Sequence, residues 1–252
     1  MMAGALAATG WRLEKLVAGG LDLAQVAALV AAPTFALREL EISRSDLGPA
    51  ALRTLAAAPW PLERVKIGGS IHRSAECGPP LATLSRHAGL RELVLVGVNL
   101  GPRAVRALLD AEWPALTKLE LDLEDAEEDE EEDNEEDDDD DFVFELGAAS
   151  FAGFPRLEVL RLTGVWLGVE GARALAARPW ACLRDLKLHC CELGDTGAAA
   201  LARGKWAALE RLNVTGENGI GEAGARALAA LALRLESNAL GDAGAAALAR
   251  GE

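Results

Sequence analysis

The chain has 252 residues, half of them apolar and mostly Ala and Leu, and its 25 basic and 40 acidic residues give a net charge of −15. No apolar run approaches the roughly 18 to 20 residues needed to cross a bilayer, which excludes a helical membrane protein, and MMAGALAATGWRLEKLV lacks the basic start and long leucine core of a secretion signal. The acidity is local: 16 of the 18 residues from Glu124 to Asp141 are acidic, and setting them aside leaves 24 of the 40 acidic residues against 25 basic ones.

In chain order, Asp22 to Ala32 has helical apolar spacing and stops before Pro33. With Trp11 to Val17 before it, this stretch reads as an irregular helical cap over residues 1–36, covering the open edge of the first repeated unit. That unit begins at LRELEISRSDLGPAALRTLAAAPW, with Leu40 and Ile42 as its strand core. The next cores are Val65/Ile67, Leu93/Leu95 and Leu119/Leu121, at spacings of 25, 28 and 26 residues. Leu160/Leu162 arrives 41 residues later, one 26-residue period plus about the length of the acidic tract. Leu186/Leu188 and Leu212/Val214 follow at 26 each, and Leu233/Leu235 after only 21, lacking the linker that carries an aromatic elsewhere. The pattern predicts eight stacked strand–helix units over 37–251, interrupted by a disordered acidic loop at 124–141.

Within each unit the period-two leucines bury one side of a short strand. Asp195 is expected to cap the helix that follows it, and Pro49 and Pro102 suit a first helical turn. A small residue (Ala51, Ala104, Gly171, Gly197, Gly224, Gly244) is followed four later by a leucine (Leu55, Leu108, Leu175, Leu201, Leu228, Leu248). That spacing puts both on one face and predicts close packing of helix on strand. Trp60, Trp113, Phe154, Trp180 and Trp206 are assigned to the core between neighbouring units.

The strand–helix alternation and the LGDxGAxALA phrase resemble the ribonuclease-inhibitor-like class of leucine-rich repeats, over roughly residues 37 to 251. The resemblance implies an α/β solenoid, a horseshoe with a parallel sheet on its concave face and helices outside, and a protein partner on that face. In that class an Asn or Cys after the strand bonds the turn backbone. Cys191 and Asn238 occupy this place, while Ser45, Val98 and Val165 depart from it, so an incomplete ladder is expected. Ran GTPase-activating proteins and the acidic leucine-rich nuclear phosphoproteins also join such repeats to acidic regions, although theirs follow the repeats. Regulation of a small GTPase and chaperoning of basic proteins are therefore the alternative functions.

No catalytic constellation is present: His72, His87 and His189 fall in three different units, none at motif spacing from a Ser or Cys. His189-Cys190-Cys191 is a single run, whereas a zinc site wants separated ligand pairs, so neither metal nor cofactor is expected. Four cysteines without paired spacing point to an intracellular protein, cytoplasmic or nuclear. The tract, including Glu124, Asp125, Glu130, Asp137 and Asp141, would repel nucleic acid, which needs a basic footprint. The outward strand positions hold the partner-binding candidates: Arg64, Lys66, Arg161, Lys187, His189, Arg211, Asn213 and Arg234. Of these Arg161, Lys187, Asn213 and Arg234 form a mostly basic central stripe, suited to an acidic partner and open to modulation by the acidic loop. The shortened last unit leaves an edge suited to edge-to-edge association.

Overall fold

The computed structural model describes residues 13–32, 35–45, 47–69, 75–123, 151–216 and 218–229. Eight parallel strands form one open sheet in sequence order, each beside the next. They are β1 (Leu13–Gly19), β2 (Phe35–Ser43), β3 (Arg64–Gly68), β4 (Glu92–Val96), β5 (Lys118–Asp122), β6 (Val159–Thr163), β7 (Asp185–His189) and β8 (Arg211–Asn213). Helices alternate with them: α1 (Leu23–Ala31), α2 (Pro49–Ala56), α3 (Gly78–Thr83), α4 (Pro102–Asp110), α5 (Gly168–Ala177), α6 (Gly194–Ala202) and α7 (Glu222–Ala229). This is an α/β leucine-rich-repeat solenoid.

The period-two leucines do what their spacing predicts. Leu93, Leu95, Leu160, Leu162, Leu186 and Leu188 are all fully buried beneath the helices, and the residues between them line the other side of the sheet. β5 pairs with β6 over five residues although 36 residues separate their ends, so the sheet runs unbroken across the acidic tract.

Several details depart from the sequence reading. Leu13–Gly19, inside the stretch expected to form a helical cap, is a strand in register with β2. Only the second part of that stretch is helical, where Asp22 and Gln25 form a reciprocal capping box. The eight described strands therefore start one unit earlier than expected; the strand expected at Leu233/Leu235, with Arg234, Asn238, Gly244 and Leu248, lies outside the described residues, as do His72 and the acidic loop.

Asp195 does not cap its own helix. It sits in the first turn of α6, and its Oδ1 accepts from Gly221 N (2.8 Å) and Gly224 N (2.9 Å) at the start of α7. One unit thus caps the next. The small residues likewise serve helix–helix rather than helix–strand contact: a Cβ on Gly197 would lie 3.3 Å from Ala172 Cβ, and one on Gly224 would lie 3.0 Å from Ala198 Cβ.

Ser45 proves to be a ladder residue. Buried, it accepts from Leu21 N at 2.8 Å and donates to Ser43 O at 3.0 Å. Cys191 is buried with its thiol 3.3 Å from His189 O, while its own N–H donates to Asn218 Oδ1 at 2.7 Å. Asn218 also donates to Leu188 O and Thr215 O, three bonds from a side chain 1% exposed. At Val98 and Val165 the same place is filled by a buried valine.

The linker aromatics are core. Trp60, Trp113, Phe154 and Trp180 are buried, with Trp206 half-buried. The indoles of Trp113, Trp180 and Trp206 each donate at 2.9 Å to a carbonyl five residues back, closing the preceding helix end. His87 takes this place in the irregular second unit, its Nδ1 on Trp60 O at 3.1 Å.

Candidate functional site

The open side of the sheet presents three rows of side chains fixed by strand register. The lower row runs from Lys15 through Glu39, Arg64, Glu92, Lys118, Val159 and Asp185 to Arg211. The middle row holds Val17, Glu41, Lys66, Val94, Glu120, Arg161, Lys187 and Asn213. Gly68, Val96, Asp122, Thr163 and His189 make the upper row. Residues of β1 to β6 line a hollow on this side. No helix of the described residues covers it, because the described helices pack on the leucine side.

The sequence candidates Arg64 and Lys66 are not bare. Arg64 bridges Glu39 and Glu92 on the two neighbouring strands, and Lys66 Nζ lies 3.0 Å from Glu41 Oε1. Lys15 completes this ladder at 3.1 Å from Glu39, and the bond from Lys15 together with the charge of Arg64 holds the Glu39 carboxyl below the usual glutamate value. Further along, Lys118 pairs with Glu120 at 2.9 Å. Pairs this exposed add little to stability, because solvent screens them. Their larger effect is to neutralise the surface.

Arg161 and Arg211 share one carboxylate: Asp185 Oδ2 lies 2.9 Å from the first and 3.4 Å from the second. The Asp185 side chain is only 9% exposed, and its bond holds the Arg161 guanidinium above its ordinary value. Lys187, between them in the middle row, has no carboxylate partner among the described residues. Its neighbour Asn213 carries a buried Oδ1 with no donor. His189 Nδ1 meets Thr215 Oγ1 at 2.8 Å. The ring and Cys190 lean over Gly216, where a Cβ would lie 2.8 Å and 2.6 Å from them.

Seven of the eight sequence candidates thus share one face, and Arg234 lies outside the described residues. Two things were missed. The carboxylates that pair with the bases had a signal, opposite charges 25 residues apart at one strand position, as in Glu41 and Lys66. Trp166 had none: it is 52% exposed just past β6, beyond the buried Val165. Among the described residues no three His, Cys, Asp or Glu side chains converge as a metal site, and no helix is long and apolar enough to cross a membrane.

The Leucine Rich repeat family model matches residues 181–202 and 231–249. The chain thus carries leucine-rich repeats at these two places within its stacked α/β fold. No curated protein matches the sequence. Repeats of this family generally serve as protein-interaction modules.

Proposed function

We propose that the chain is a non-enzymatic scaffold that binds a protein partner on the concave sheet face, with the acidic loop as a modulator. The supporting observation is the face itself: eight strands whose outward side chains are mostly polar and charged, with valines among them, uncovered by any described element. A solenoid exposes such a face over many units, so a partner gains a wide contact without any change of fold. The finer assignment to the ribonuclease-inhibitor-like class rests on the full helix in most units and the period near 26 residues. Four free thiols support an intracellular, cytoplasmic or nuclear location.

The test is a photo-crosslinking residue placed in turn at Val94, at Val159 and at Arg103 on the helix side, followed by capture in the source cell. The first two positions are expected to trap a common partner and the third none. Capture at Arg103 alone overturns the reading.

A further inference from the structure

The two halves of the sheet face differ in charge. Strands β1 to β5 present Lys15, Arg64, Lys66 and Lys118 against Glu39, Glu41, Glu92, Glu120 and Asp122, and every one of these four bases touches a carboxylate. Strands β6 to β8 present Arg161, Lys187 and Arg211 against their own Asp185, with Glu120 of β5 also 4.0 Å from Arg161. The first surface is matched to itself; the second has cations to spare.

Three observations on the second surface bear on what would match it. Lys187 has no counter-charge among the described residues, and an ammonium in this position is satisfied by an acidic group from outside. Asn213, beside it, has a buried acceptor that needs an N–H or O–H donor. A phosphate backbone offers acceptors only, whereas a peptide offers amide donors as well as carboxylates. Trp166, three residues past the C-terminal end of β6, is 52% exposed, and β6 is next in the sheet to the strand carrying Lys187 and His189. A large exposed aromatic beside polar groups is the usual composition of a binding anchor.

We infer that an acidic peptide segment carrying an apolar side chain docks on the C-terminal half of the face, a carboxylate against Lys187, a backbone amide toward Asn213 and the apolar group on Trp166. This rests on the reading of the sheet face as the binding surface, and it narrows that reading to one half and one chemistry.

The probe is a fluorescent peptide of alternating Glu and Asp around one central Phe, titrated by anisotropy into the full chain. A parallel titration uses a chain in which the acidic residues of 124–141 are replaced by Ser and Gly, which removes competition from its own carboxylates. Lys187→Glu is expected to weaken binding about tenfold or more and Trp166→Ala several-fold, as for buried interface anchors. Lys66→Glu, in the self-matched half, is expected to leave binding within about twofold. All three side chains are partly exposed, and circular dichroism checks that each variant folds. Equal losses for Lys187→Glu and Lys66→Glu overturn the inference, as does equal binding of a peptide with Lys in place of its acids. Absence of acidic-peptide binding in both chains overturns it too. If crosslinking at Val159 still traps a partner in that event, the protein-binding reading survives and only the docking chemistry falls.

Discussion

The N-terminal and C-terminal halves of the sheet face meet the same requirement in opposite ways. Neighbouring strands lie about 4.8 Å apart, so side chains at one register position must tolerate each other across the whole array. From β1 to β4 the sequence alternates sign along the rows, and Lys15, Glu39, Arg64 and Glu92 close into a continuous ladder. From β6 to β8 one mostly buried aspartate serves two arginines, and Lys187 is left over. Self-pairing makes a surface inert toward outside charge, because a partner would have to break existing pairs to form new ones. Unmatched cations leave a surface receptive. Position along the solenoid therefore separates a charge-matched stretch from one with an unmatched cation within the same repeat design.

The unit-to-unit joints show the same asymmetry and offer the largest effects. Asn218→Ala strips three bonds from a buried turn and should cost about 3 kcal/mol in urea unfolding, while Ser45→Ala at the matching N-terminal joint should cost about 1 kcal/mol. Equal losses would erase the contrast between the halves. Asp185→Ala leaves two arginines without their shared carboxylate and is expected to destabilise by about 2 kcal/mol, against less than about 1 kcal/mol for Glu41→Gln in the exposed ladder. The same denaturation series measures both. Asp195→Ala removes the cap that one unit supplies to the next and should cost about 1 kcal/mol. Amide exchange should then quicken at Gly221 and Gly224 before it does elsewhere.

The smallest effect is a titration. Glu39 has its carboxyl lowered in the folded chain, so its stabilising contribution is complete above the ordinary glutamate value of about 4.3 and is lost as pH falls through the lowered folded value. Lys15→Met removes the main cause, and the Glu39 side-chain NMR midpoint should rise toward the ordinary value. An unchanged midpoint would mean that the ladder is not formed in solution.

Much of this was legible in the residues. The leucine spacing placed seven of the eight described strands, and the 41-residue interval marked the acidic tract as an insertion into an otherwise regular array. Cys191 was legible as a turn residue. Ser45 and Asn218 were not, since Ser45 breaks the Asn-or-Cys habit and one added residue in ENG shifts Asn218 out of alignment. Leu13–Gly19 escaped because its leucines at 13 and 16 carry a helical spacing, and only pairing with β2 makes it a strand. His87 lacked the bulk that marks the other linker aromatics.

By itself, then, the sequence determined the fold class, the period and the residues on each side of the sheet, because those follow from local spacing repeated along the chain. Tertiary structure alone decided which charges cancel, which aspartate caps which helix and that Trp166 stays exposed. Each of those depends on a neighbour a whole unit away, whose distance is set by the stacking of units and not by any local pattern.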